Sequence, residues 1–240
     1  MIESSRSERD SIIPDGMDPV PYPDEIWKIH ERISRSFSRQ DAVFGKQDIN
    51  VNVIDGFEDI FDEPLGAGYY YNTLPSTHQL AFALSLSRHP AVKDCIKNHE
   101  LAASEIIKKF KETKVLSGIK ALDLGCGGKP YFAVAASLMG AKMYTADVEE
   151  IDSKFKRYIE RHILVNFNQP NAIEVLHDGT GGDFDIVSEN IIGTVPDMQR
   201  YVKKPRKQRI IEIGAALLKK GGYLHSFHLN DLHTRILRKR

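Results

Sequence analysis

The stretch Ala121-Leu-Asp-Leu-Gly-Cys-Gly-Gly128, with Thr145-Ala-Asp147 about 20 residues beyond it, governs how the rest of the chain reads. The first segment has the apolar character of a buried strand and runs into a glycine turn and then a helix. The second reads as the next strand and ends in a lone carboxylate. Glycine lets a chain turn sharply and lets backbone N–H groups approach a ligand with no side chain between them. A carboxylate at the tip of the neighbouring strand stands where a ribose would offer its two hydroxyls. Together these features describe a nucleoside-containing ligand held at the carboxyl edge of a parallel sheet.

Strands and helices alternate from Lys120 onward. The strand candidates are Ala121–Leu124, Lys142–Ala146, Ala172–Leu176, Asp185–Ser188 and Tyr223–Leu229, with helices expected at about 130–139, 152–167 and 205–219. Helical segments of that length between strands imply right-handed crossovers and a parallel sheet, with the ligand site where the strand order switches. Upstream, Ala91 to about Glu112 and Thr77 to Arg88 carry helical periodicity, as do Ile26, Trp27, Ile29, Ile33 and Phe37 after Asp24. The segment Asp48–Ile54 alternates polar and apolar residues strictly, as a half-buried strand does. Pro14, Pro19, Pro21 and Pro23 break any helix before residue 24 and predict an irregular arm. The division expected is an arm over 1–24, a helical cap over 25–115 and an α/β ligand-binding domain over 116–240.

The 240 residues are 41% hydrophobic, enough for one large α/β domain with an extension. No apolar run approaches the roughly 18 residues that would span a bilayer, and Met1-Ile-Glu-Ser-Ser-Arg6 lacks a signal-peptide core, so a cytoplasmic location is expected. Cys95 and Cys126 are the two cysteines, and neither sits in a zinc-ligand spacing. The net charge is zero but unevenly spread: residues 1–64 hold 15 acids and 7 bases, residues 191–240 hold 12 bases and 3 acids. Such asymmetry describes either two ends that lie against each other or a polyanion-binding face.

Three nucleotide readings compete for the glycine turn. A Walker loop fails because Gly128-Lys129 is followed by Pro130 and the first glycine is misplaced. A dinucleotide fingerprint finds its first two glycines in Gly125 and Gly127, but Pro130 occupies the third position, where close helix–strand packing needs glycine. NAD or FAD is thereby the weaker reading. The run Leu122-Asp-Leu-Gly-Cys-Gly127 resembles the first motif of class I S-adenosylmethionine-dependent methyltransferases. The later segments resemble that family in order as well: Asp147, then His177-Asp-Gly179, then Phe184-Asp-Ile-Val-Ser-Glu-Asn190, then Leu217-Leu-Lys-Lys-Gly-Gly-Tyr-Leu224. The resemblance covers residues 119–230.

The resemblance implies a doubly wound, mainly parallel α/β sheet and S-adenosyl-L-methionine as cofactor. It implies cofactor contacts from Asp123, Gly125, Cys126, Gly127, Asp147 and Val148, with Asp178 and Gly179 beside the adenine. The acceptor side would draw on Glu189, Asn190 and His228, with Glu189 or His228 as base. A small-molecule acceptor, methylated on oxygen or nitrogen, is the expectation, because the chain lacks a dedicated RNA-binding module. Alternatives are an RNA or protein acceptor recruited through the basic C-terminal third, a non-catalytic partner subunit and a nicotinamide-dependent oxidoreductase. Glu189 with Asn230 and Asp231 would offer oxygen ligands to Mg²⁺, but the expectation is no metal. Tyr69–Tyr71 and Trp27 could wall a pocket for an aromatic or cationic acceptor.

One departure from the family stands out. Its sheet ends in an antiparallel hairpin, and the residues after Leu229 are too few for a helix plus that hairpin. The expectation is that the C-terminal strands are shortened, or that residues 49–54 complete the sheet, or that the edge is left for a partner chain.

Overall fold

The computed structural model describes residues 13–29, 78–97, 103–189, 204–226 and 236–240. Its centre is a seven-stranded sheet. In chain order the strands are β1 (Met17–Val20), β2 (Lys120–Leu124), β3 (Lys142–Asp147), β4 (Arg161–Leu164), β5 (Phe184–Glu189), β6 (Leu218–Ser226) and β7 (Ile236–Lys239). The helices are α1 (Pro90–Lys97), α2 (Ala103–Thr113), α3 (Tyr131–Leu138), α4 (Ala172–Thr180) and α5 (Lys204–Leu217), with residues 24–29 and 78–86 also helical. Across the sheet the order is β1-β7-β6-β5-β2-β3-β4. The strands β4, β3, β2, β5 and β6 are mutually parallel, and β7 runs antiparallel to both its neighbours. This is the doubly wound, mainly parallel sheet expected from the alternation of strands and helices.

Beyond β6, the described residues carry the sheet on through β7 and β1. β7 pairs with β6, and β1 pairs with β7 in the register Met17↔Lys239 to Val20↔Ile236. A four-residue strand from the supposed irregular arm therefore supplies the last place in the sheet. Proline at position 19 is tolerable there because an edge strand needs ladder donors on one side only. Residues 49–54 lie outside the described residues.

Two other expectations are corrected. Residues 152–167 do not form one helix: a 3₁₀ turn at Ser153–Tyr158 leads into β4. Phe155, Ile159, Ile163 and Phe167 are all buried and recur every four residues. A spacing of four satisfies a helix, but it also keeps side chains on one face of a strand, since four is even. Ala172–Leu176 is the start of α4 and not a strand. Its buried residues Ala172, Leu176 and Thr180 line one helical face, and Gly181 ends it at φ 73°. β-branched Ile173 and Val175 favour a strand, and packing overrides that weak preference.

The core lies on both faces of the sheet. One face packs Ala121, Met143 and Ile186 against residues 26–29, helix 78–86, α1, α2 and α3, with Phe82, Phe110 and Phe132 fully buried. The other packs Leu122, Leu124, Val187 and Leu224 against α4 and α5. The described residues of 78–113 share one core with α3.

Candidate functional site

The order of the strands fixes where a ligand can enter. From β2 the chain steps outward through β3 and β4, then returns to place β5 on β2's other side, so a crevice opens at the carboxyl ends of β2 and β5. The glycine turn after β2 is clasped to the loop after β3. Gly125 N donates to Ala146 O at 2.8 Å, Gly127 N to Asp147 Oδ2 at 2.7 Å, and Asp152 N to Gly128 O at 2.9 Å. Gly125 and Gly127 hold φ of 72° and 63°, backbone that L side chains rarely adopt. A Cβ on Gly127 would meet nothing within 4 Å, so open space lies over that turn.

Asp147 organises this clasp. Its Oδ1 also accepts from Val148 N at 2.6 Å and Glu149 N at 3.2 Å, and the side chain is buried. Three amide donors do not exhaust a carboxylate's four or so lone-pair sites. Asp123 lies below, 2% exposed, with Oδ1 lacking a hydrogen-bond partner among the described residues. Burial, reinforced by the charges of Asp147 and Glu189, pushes its carboxyl well above the usual range, while the Gln79 amide opposes the shift. Burial, with Asp123 and Asp147 nearby, also pushes the Cys126 thiol up, so Cys126 is no thiolate. Cys95 and Cys126 form no disulfide with each other.

The residues read from sequence divide by place. Asp123, Gly125, Cys126, Gly127, Asp147 and Val148 come together at the glycine turn. Asp178 and Gly179 do not. They end α4, where Arg161 at the start of β4 donates to Gly179 O at 3.1 Å and Lys120 at the start of β2 donates to Thr180 O at 3.0 Å. That is the amino edge of the sheet, opposite the crevice. The assignment fails because the strand after β3 is Arg161–Leu164, about ten residues earlier in the chain than the apolar run at Ala172–Leu176. The loop that does leave β4 at the carboxyl edge is Val165–Asn168, tied to β3 by Val165 N donating to Asp147 O at 2.9 Å. Asn166 Oδ1 there accepts from Asn168 N at 3.0 Å.

Glu189 ends β5 in full burial and accepts a hydrogen bond from the Ser226 hydroxyl through Oε1. Asn190, His228, Asn230, Asp231 and Tyr69–Tyr71 lie outside the described residues. Among the described residues, no group of three His, Cys, Asp or Glu side chains could hold a metal ion, and no helix is long and apolar enough to cross a membrane.

Three side chains near the carboxyl edge of the sheet escape the sequence reading: Tyr22, His78 and Gln79. Helix 78–86 sets Gln79 beside Asp123 of β2, and both Gln79 and His78 are buried. His225 projects from β6 beneath it and stacks on Phe82, with centroids 5.4 Å apart. No spacing rule connects residues 22, 78 and 225, so only the assembled sheet reveals the cluster.

No family model matches the chain, and no curated protein does. Among solved structures it is similar to a TehB-like SAM-dependent methyltransferase from Corynebacterium glutamicum, at 15% identity and a TM-score of 0.32, over 50% of this chain and 60% of that one. It is also similar to magnesium protoporphyrin IX methyltransferase (ChlM) from Synechocystis with bound SAM, at 13% identity and a TM-score of 0.35, over 86% of this chain and 77% of that one. A third is the O-methyltransferase TomG from Streptomyces achromogenes, in complex with SAM, at 12% identity and a TM-score of 0.28, over 68% of this chain and 74% of that one. The match to the Corynebacterium protein therefore spans three fifths of that protein's length.

Proposed function

We propose that this chain is an S-adenosylmethionine-dependent methyltransferase acting on an oxygen or nitrogen atom of a small-molecule acceptor. The observation that carries the reading is the convergence of the bare glycine turn, the Asp147 carboxylate and the orphaned Asp123 Oδ1 at the switch in strand order. A buried carboxylate oxygen with no donor is costly, and a cationic ligand would relieve that cost. Asp147, already oriented by three amides, has acceptor capacity left for ribose hydroxyls. The loop 165–168 stands beside it for the adenine. Pro130, with its φ of −79°, precedes α3, so no glycine thins the contact between α3 and β2 as a dinucleotide's pyrophosphate would require. That favours the adenosyl cofactor over NAD.

Bound at this site, the cofactor supplies a methyl group on a sulfonium, an electrophile with its own leaving group. The chain's own residues then have three tasks. The glycine turn and Asp147 fix the adenosyl end. Asp123, in a site screened from water, offsets positive charge. The carboxyl ends of β5 and β6 orient the acceptor for in-line attack and exclude water. A base is needed only where the acceptor atom carries a proton at working pH.

The test is calorimetric binding of S-adenosylhomocysteine beside NAD. S-adenosylhomocysteine is expected to bind and NAD to fail. Asp147→Ala is expected to weaken the former by about 1–3 kcal/mol, as loss of charge-assisted hydrogen bonds would. Tight NAD binding with no S-adenosylhomocysteine binding would overturn the reading.

A further inference from the structure

One register row of polar residues crosses four strands of the sheet. Asp123 of β2 pairs with Thr145 of β3 and Ser188 of β5, and Ser188 pairs with His225 of β6. Two residues back along each strand, on the same face, stand Ala121, Met143, Ile186 and Tyr223, all part of the hydrophobic core. The face covered by helix 78–86 and α3 thus turns from apolar to polar as it nears the carboxyl ends of the strands.

All four polar side chains of the row are buried, and three have hydrogen-bond partners. Thr145 Oγ1 lies 2.9 Å from His162 Nδ1, and Ser188 Oγ lies 3.4 Å from His225 Nδ1. The Tyr22 hydroxyl lies 3.4 Å from His225 Nε2 and 3.4 Å from His78 Nδ1. Asp123 Oδ1 is the exception. It shares that state with both ends of the Gln79 amide: among the described residues, neither Nε2 nor Oε1 has a hydrogen-bond partner. Gln79 is 1% exposed, and its amide stands near enough to Asp123 to favour the ionised carboxyl. Unpaired polar atoms in a buried site are costly. Helix 78–86 avoids that cost in the next turn, where Leu80, Ala81, Phe82, Ala83 and Leu84 are buried and apolar.

The unpaired atoms define what would fit between them. Asp123 Oδ1 and Gln79 Oε1 accept, and Gln79 Nε2 donates. Water could pair with such atoms but carries no charge, whereas the charged groups acting on Asp123 are Asp147 and Glu189, both acids. A cationic donor therefore suits the acceptor pair, and an anionic acceptor suits Nε2. An α-amino acid group carries both, one carbon apart.

We propose that Gln79 recognises the amino-acid end of the adenosyl cofactor, its Oε1 accepting from the ammonium beside Asp123 and its Nε2 donating to the carboxylate. This rests on the methyl-transfer reading above. An amide serves both signs of a zwitterion, whereas a carboxylate at position 79 would repel the ligand's carboxylate and an ammonium would repel its ammonium. Gln79 is a binding residue here, and no bond forms or breaks at it. The cofactor's two ends are then held by separate parts of the chain, the adenosyl end by the glycine turn and Asp147, the amino-acid end by Asp123 and helix 78–86.

The test compares two ligands on the full chain by calorimetry: S-adenosylhomocysteine, which carries the amino-acid end, and 5′-methylthioadenosine, which lacks it. The wild-type chain should bind the first more tightly. Gln79→Met keeps an unbranched side chain of similar volume and removes both amide atoms. It should weaken S-adenosylhomocysteine by about 10- to 100-fold, the loss expected for hydrogen bonds to charged groups, and leave 5′-methylthioadenosine unchanged. Its ligand-free Tm should not fall, because unpaired polar atoms give way to apolar ones. Should neither ligand bind the wild-type chain, the methyl-transfer reading itself falls. Should both bind that chain equally, or Gln79→Met weaken both alike or neither, the proposal falls and that reading stands. A further arm needs no variant: the decarboxylated amine of S-adenosylhomocysteine, which keeps the ammonium, should bind the wild-type chain more weakly than its parent. Equal binding would overturn the role given to Nε2.

Discussion

Among single residues, Asp123 carries a buried electrostatic burden in the crevice. Its carboxyl is held above its unfolded value by burial and by Asp147 and Glu189. A raised acid contributes stability that is whole below the unfolded value of about 3.9 and is lost as pH rises through the folded one. Asp123→Asn should therefore raise the Tm of the ligand-free protein at pH 7, and that advantage should vanish as pH falls toward about 4. Thermal denaturation at both pH values checks it, and equal Tm at pH 7 would refute it. The same substitution should weaken S-adenosylhomocysteine binding, because an amide offers one acceptor oxygen and no negative charge to the ligand's ammonium. Asp123, Gly125, Gly127 and Asp147 are legible in the sequence because a glycine turn and a strand-end acid sit at short, rule-bound spacing. His78 and Tyr22 carry no such signal, since their partners lie on other elements and nothing local marks them.

Among the elements, β6 is laid closely on β5, as Gly222 shows. A Cβ there would sit 2.7 Å from Phe184 O and 3.0 Å from Lys219 O, and backbone cannot move aside as a side chain can. Gly222→Ala should cost about 1–3 kcal/mol in denaturant unfolding, the range for overpacking. Phe132, buried on α3 against the glycine-turn face, should cost about 3–5 kcal/mol on truncation to alanine. Deleting residues 1–20 should leave folded protein whose β7 edge is bare, and sedimentation should then show self-association absent from the full chain. Element types are legible wherever a strand is buried on both faces, as β2, β3 and β5 are. They are misread at β4 and α4. There one sheet edge and one amphipathic helix use apolar spacings of four, which fit either structure, and only the sheet's register decides between them.

Across the protein as a whole, the strands grade from a centre to two edges. β2 and β5 are flanked on both sides and covered on both faces, so their amides should exchange hydrogen only on global unfolding, whereas those of β1 and β4 should exchange earlier. Hydrogen exchange resolved by residue checks this, and uniform protection across the sheet would refute it. The β1–β7 pair joins a described stretch near the start of the chain to its last described residues, where Arg240 reaches Asp18 at 3.4 Å and Arg240 N donates to Gly16 O at 2.9 Å. That pairing has a temporal side. During synthesis Met17–Val20 emerges long before Ile236–Lys239, the strand it pairs with. The earliest piece of the sheet must wait for the latest, so Tyr22, carried directly behind it, is set against its histidines only when the rest of the sheet already stands.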